Sequence, residues 1–227
     1  MAHYRVLTGN QDWSAEQLDP MYRLATRNKP IRLTVLMEAL CPDCQLWIVE
    51  EFYPKVFKNF AEFINIEFVP FGNAKITNGT ITCQHGSEEC KINRFESCLI
   101  DVLQSQDHYV PFIYCIENQL QKWTPNQLHA FVQKKSGTNV SMYRLISQWE
   151  IVSIHNNALG NIWPDKHTFV PWIIVNGVSL RSKQVLINNL PYLLCDWYTG
   201  DKEIPFCSSQ KKKGCSKNAL RNYYLSM

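Results

Sequence analysis

The sequence predicts an α/β fold with a large helical insertion. Three observations carry that reading. An apolar run, Ile31 to Met37, leads into Cys41-Pro42-Asp43-Cys44, and an apolar-periodic segment, Leu46 to Phe60, leads out of it. Far downstream, the apolar stretch Val170 to Val175 runs into Asn176-Gly177, the strongest short hairpin signal. Between these sheet-forming parts, residues 77–164 read mainly as helix. The chain then divides into a polar arm at 1–30, a core split between 31–76 and 165–198, the insertion at 77–164 and a polar tail at 199–227.

Composition narrows the class of protein. The 227 residues are 45% hydrophobic and 12% aromatic, ample for a packed core. The net charge of +3 is spread along the chain and argues against a nucleic-acid partner. The one basic cluster, Lys211 to Lys213, reads as part of a solvated tail. No run of about 18 apolar residues occurs, so no membrane span is expected. Nine cysteines are many for a reducing compartment. Together with sequons at Asn78 and Asn139 they point to glycosylation and to the secretory or endosomal pathway. Residues 1–25 hold no apolar signal core. Either such a signal has been removed or the chain is an unusual isoform.

The elements follow in order. Ile31, Leu33, Val35 and Met37 alternate as in a strand, and the apolar Leu36 makes it a central one. Glu38 ends it. After the dithiol, Cys44, Ile48, Phe52, Val56 and Phe60 recur at steps of four and form a helix face directed at the sheet. Pro54 removes one backbone donor and predicts a kink. Phe63 to Phe71 is a second strand with Glu67 its one charge. Gly72 to His85 is rich in turn residues. Ile92, Phe95, Leu99, Val102 and Leu103 restore helical spacing, and Pro111 to Ile116 continues the apolar surface.

Thr124-Pro125-Asn126-Gln127 is a capping-box start for another helix, with Leu128, Phe131 and Val132 on its apolar side. A further helix begins near Ser141, with Met142, Leu145, Ile146, Trp149 and Val152 on one face. Val178 to Leu180 partners the strand before Asn176-Gly177. Ser182 then caps a last helix with Val185, Leu186, Leu190, Leu193, Leu194 and Trp197 inward and a kink at Pro191.

Two cysteines two residues apart, between a strand and a helix, are how a dithiol redox site is built. Cys41 then sits at a helix N-terminus, where unpaired N–H groups and the macrodipole favour its thiolate. That thiolate attacks a disulfide, and Cys44 resolves the mixed disulfide that forms. A zinc half-site needs a second C-x-x-C or an H-x-x-x-H, and neither occurs, so no metal is expected. A local structural disulfide is the bland alternative.

The element order resembles that of a thioredoxin fold with an inserted helical domain. In that fold a cis-proline loop faces the dithiol, and Val170-Pro171 occupies its place. A second motif is closer. Cys83-Gln84-His85-Gly86, with Glu89, Cys90, Asn93 and Cys98, is similar to the signature of the gamma-interferon-inducible lysosomal thiol reductase family, C-Q-H-G-x-x-E-C-x-x-N-x-x-x-x-C. The resemblance covers about residues 31–207.

It implies a reductase of protein disulfides, working at acidic pH in endosomes or lysosomes, or secreted. Catalysis falls on Cys41 and Cys44, and substrate binding on the loop at Val170 and Pro171. An external thiol serves as reductant and no cofactor is needed. Pro42 and Asp43 sit where redox poise is tuned; Asp43 opposes thiolate formation, and Pro42 cannot donate to the sulfur. The resemblance also makes the signature cysteines structural. Cys83, Cys90, Cys98, Cys115, Cys195 and Cys207 permit three bridges, of open connectivity. Cys215 is the odd one and points to a covalent homodimer.

Some residues keep two readings. Glu38 is either a proton relay for Cys44 or a solvated strand end. His85 is either a pH-sensitive group or a hydrogen-bonding part of the cysteine-rich loop. Trp172 either contacts substrate or packs in the core. Two rival functions also stand: a disulfide oxidase or isomerase of the secretory pathway, and a non-enzymatic, disulfide-stapled secreted binding protein.

Overall fold

A computed structural model describes residues 24, 26–78, 80–124, 127 and 163–212. Its centre is a four-stranded mixed sheet of order β2-β1-β5-β6. Strand β1 (Ile31–Met37) pairs in parallel with β2 (Ile64–Pro70), Ile31 opposite Ile64 and Met37 opposite Pro70. On its other side β1 pairs antiparallel with β5 (Trp172–Val175), Leu36 opposite Trp172. Strand β6 (Val178–Ser179) returns antiparallel to β5 through Asn176 and Gly177. Those two residues have φ of 50° and 81°, as a tight hairpin of this type demands. With partners on both edges, β1 buries all its residues except Arg32.

The parallel step from β1 to β2 needs a crossover, and a helix supplies it. Helix α1 (Pro42–Leu46) begins at the dithiol and passes directly into a π-helix, Trp47–Phe57, then a last α-turn, Lys58–Phe60. Cys44, Ile48, Phe52, Val56 and Phe60 are all at most 1% exposed, so the spacing of four does mark the packed face. The kink expected at Pro54 is replaced by the π-helical stretch around it. A proline that cannot donate to the preceding turn is accommodated by the wider i→i+5 bonding.

The turn-rich segment holds a small hairpin, β3 (Lys75–Thr77) and β4 (Thr80–Thr82), with Asn78 exposed at its turn. Two helices follow, α2 (Ser87–Leu103) and α3 (Gln106–Leu120), the latter containing Pro111. Helix α2 departs from its expected face. Val102 is 67% exposed, while Glu89, Asn93 and Glu96 are fully buried beside Ile92. The Thr124 N–H donates to Gln127 Oε1 at 2.8 Å, one half of the expected capping box. The helices expected around Leu128–Val132 and Met142–Val152 lie outside the described residues, as do Asn139 and Cys215.

The last helix forms in pieces: α4 (Arg181–Gln184), a 3₁₀ turn at Ile187–Asn189, and α5 (Leu190–Trp197). Ser182 caps nothing; the backbone N–H of Arg181 is held by Asp165 Oδ2 instead. Pro191 starts α5 rather than kinking it, using the position where a missing N–H costs nothing. Val185, expected inward, is 77% exposed in the break between pieces. The segment after α5 is not wholly a polar tail. Ile204 is buried, and α6 (Pro205–Lys212) packs Phe206 against Phe60.

Among the described residues two disulfides are present, Cys83–Cys90 and Cys195–Cys207. The expected bridges through Cys98 and Cys115 are not formed; both are thiols. Cys98 lies eight residues beyond Cys90 on one helix. That is about 12 Å of rise, where a disulfide spans at most about 7 Å between Cα atoms. It is buried with the inner face of α2, whereas Cys115 is on the exposed side of α3. No described helix is long and apolar enough to cross a membrane.

Candidate functional site

Strand β1 ends in a tightly held corner. The Ala39 N–H donates to Asn93 Oδ1 at 2.9 Å, and the Ala39 carbonyl accepts from Gln45 Nε2 at 2.7 Å. The Cys41 N–H closes a turn onto the Glu38 carbonyl at 3.2 Å. This fixes where α1 starts. Cys41 is its N-cap, and the Cys44 N–H donates to Cys41 Sγ at 3.3 Å. Pro42 takes the first helical position, where it cannot donate to the sulfur.

The two cysteines are unequal. Cys41 is 6% exposed and Cys44 0%. The Cys44 thiol and backbone N–H donors bring the Cys41 thiol down from 9.0 to about 7, against burial and the nearby Asp43 carboxylate. Burial and the neighbouring Cys41 push Cys44 far up. One sulfur is thus primed and the other held protonated. Cys41 Sγ–H donates to the Val170 carbonyl at 3.7 Å, across 129 positions of chain. The Val170–Pro171 bond is cis, as is Trp163–Pro164, which the sequence did not signal. Trp172 next to it is fully buried, its indole N–H on Ser179 Oγ at 2.9 Å, so it belongs to the core.

Beneath the dithiol lies a polar layer. Glu38 is no solvated strand end: it is 0% exposed, with Oε1 accepting from the Asn73 N–H at 2.5 Å. Burial, then the Glu89 carboxylate, push it up to about 7. Gly72 makes this seat possible, since a Cβ there would come within 2.4 Å of Glu38 Cγ. Glu89 is equally buried; it accepts from the His85 N–H at 3.0 Å and meets the His85 ring Nδ1 at 2.5 Å. Gly86 between them has φ 89° and ψ −171°, a conformation open essentially only to glycine.

Deeper still, Glu96 and Glu117 face each other between α2 and α3, both 0% exposed. Among the described residues, no hydrogen bond from any other group reaches their carboxylate oxygens. Burial pushes Glu96 up to about 8 and Glu117 well above the carboxylate range, with repulsion from Glu96 adding to the latter. Sequence reasoning missed Glu96 and Glu117, and took Glu89 and Asn93 only as signature positions without a role. The signal for Glu96 was that it shares a helix face with the signature residues Glu89 and Asn93.

Comparison with known proteins gives a consistent picture. A family profile described as "Gamma interferon inducible lysosomal thiol reductase (GILT)" matches residues 32–135. The chain is 31% identical to the "Gamma-interferon-inducible lysosomal thiol reductase" of Carassius auratus, over 81% of this chain and 75% of that protein. It is 30% identical to the protein of the same name from Mus musculus, over 83% and 77%. It is 29% identical to the "Gamma-interferon-responsive lysosomal thiol protein" of Arabidopsis thaliana, over 90% and 86%.

Proposed function

Because the chain belongs to the gamma-interferon-inducible lysosomal thiol reductase family, and is thereby a thiol-disulfide oxidoreductase, we propose that it reduces protein disulfides through Cys41 and Cys44 at acidic pH. The observation that carries this reading is Cys41 at the N-cap of α1, with its sulfur toward the Val170 carbonyl. We read the sheet and its crossover as a thioredoxin-like core at 31–76 and 165–198, with the helical insertion at 77–164.

The Cys41 thiolate attacks one sulfur of a substrate disulfide. The substrate S–S bond breaks, a mixed disulfide forms on Cys41, and the leaving thiolate takes a proton from solvent. Cys44 then gives up its proton and attacks the Cys41 sulfur. The mixed disulfide breaks, the second substrate thiolate leaves, and Cys41–Cys44 becomes the disulfide. An external thiol restores the dithiol. The loop at Val170 and Pro171 receives the substrate backbone beside the sulfur.

A Cys41 pKa of about 7 supports a reductase over an oxidase. It resembles the value near 7 of strongly reducing C-x-x-C sites rather than the value near 3.5 of an oxidant. At pH 5 it leaves about 1% of Cys41 as thiolate, roughly a hundredfold more than a thiol at 9 would. The compartment is lysosomal or endosomal, or the protein is secreted; Asn78 and Asn139 carry glycans, and Cys215 joins two copies.

Insulin reduction with a small dithiol donor, at about pH 4.5 and at pH 7, tests the reading. Reduction at acid pH is expected. Activity confined to neutral pH would favour the oxidase or isomerase, and none at either pH the inert binding protein.

A further inference from the structure

The signature stretch contributes more than cysteines to the site. His85 Nδ1, Glu89 Oε2 and Glu38 Oε2 all lie within 4.8 Å of one another. We propose that these three atoms form a binding site for a divalent first-row transition cation of the zinc type, distinct from the dithiol.

The two carboxylates are arranged as ligands rather than as a simple ion pair. Each is tied by one oxygen to a backbone N–H: Glu38 Oε1 to Asn73 at 2.5 Å, and Glu89 Oε1 to His85 at 3.0 Å. Each then turns its other oxygen to the same point. Such outer hydrogen bonds are what orient metal ligands. Glu38 Oε2 is the independent sign that something is missing. It is buried in a residue with 0% exposure and, among the described residues, accepts no hydrogen bond. The ring nitrogen His85 Nδ1 stands 3.7 Å away, outside hydrogen-bond reach.

Charge argues the same way. Two fully buried carboxylates converge here, and the base paired with them among the described residues is an imidazole with 32% of its side chain exposed. A dication balances the two carboxylates. One nitrogen and two carboxylate oxygens form a donor set of the zinc kind, with the remaining coordination left to water on the exposed His85 side. Binding needs the His85–Glu89 contact of 2.5 Å to open to ligand spacing, a rotation that the half-exposed ring can make. The ion would tie the end of β1, three residues before Cys41, to the start of α2.

Cysteine spacing could not have revealed the site. His85 and Glu89 are four positions apart, but Glu38 joins them from across the chain.

The test uses the full chain with Cys41–Cys44 oxidised, so that the dithiol binds no metal. Zinc chloride is titrated by calorimetry into wild type, His85→Ala, Glu89→Gln and Glu38→Gln. One saturable site is expected in wild type, its affinity at least tenfold weaker in each variant. Zinc should also raise the melting temperature of wild type but not of His85→Ala. That ring is at the surface and the Cys83–Cys90 disulfide holds its segment, so this variant alone decides the matter should the buried glutamine variants not fold. Absence of saturable binding to wild type, or sites that all keep their affinity in His85→Ala, would overturn the proposal.

Discussion

The sulfur of Cys41 and the carbonyl oxygen of Val170 lie 3.7 Å apart, although 129 positions separate them in the chain. Pairing of β1 with β5 makes that meeting possible. Leu36 sits opposite Trp172, so the turn after β1 and the loop before β5 meet at one end of these two strands. A substrate backbone lying along Val170 therefore lies along Cys41 as well.

The Cys41 thiol should titrate near neutrality. Its rate of alkylation by iodoacetamide should rise with pH through a midpoint at about 7. Asp43→Asn should move that midpoint down by a fraction of a unit, because the exposed Asp43 carboxylate disfavours the thiolate. A midpoint near 9 in wild type, or an upward shift in Asp43→Asn, would contradict the N-cap account.

Burial of Glu96 and Glu117 should make the protein more stable in acid. Their folded pKa values lie above the unfolded value, Glu96 at about 8 against 4.5. The folded state therefore binds the extra proton, and this contribution is full below about pH 4.5 and lost as pH rises through about 8. Glu96→Gln should gain on the order of 3 kcal/mol over wild type at pH 8 and little at pH 5. Urea unfolding at the two pH values checks this. An equal effect at both would remove the ionisable pair from the explanation.

Gly72 carries two demands at once, φ of 52° and space for the Glu38 side chain. Gly72→Ala should cost about 2 kcal/mol in denaturant unfolding. A change below about 0.5 kcal/mol would mean that Glu38 is free to move.

Peptide mapping should find Cys83–Cys90 and Cys195–Cys207 bridged. Cys115 should alkylate in the native protein and Cys98 only after unfolding, as their exposure dictates. Material from a secretory host should run as a dimer on a non-reducing gel and as a monomer after Cys215→Ser. A dimer that survives Cys215→Ser would remove that cysteine from the interface.

Apolar periodicity made the sheet side of the molecule readable. Ile31 to Met37, the Ile48-Phe52-Val56-Phe60 face and the Asn176-Gly177 hairpin each follow from patterns two to four residues long. What escaped was set by tertiary context. The burial of Glu89, Asn93 and Glu96 was not readable, because nothing local says that the end of β1 and helix α3 will cover them. The break at Val185 was hidden for a similar reason. Its neighbours keep helical spacing, but Gln184 is drawn inward to bond Ile173 through both its N–H and carbonyl. In the dithiol, Cys41 and Cys44 were legible as a pair. The burial that holds Cys44 protonated, with the Glu117 carboxylate adding to it, is set by tertiary packing and was not.

The assignment of attacking and resolving sulfurs is tested most directly by trapping. Cys44→Ser protein, mixed at about pH 4.5 with a disulfide-bonded substrate and quenched in acid, should accumulate one mixed disulfide. Mass spectrometry should locate it at Cys41, and Cys41→Ser should form none and turn over no substrate. An adduct at another cysteine, or full multiple turnover by Cys44→Ser, would contradict the account.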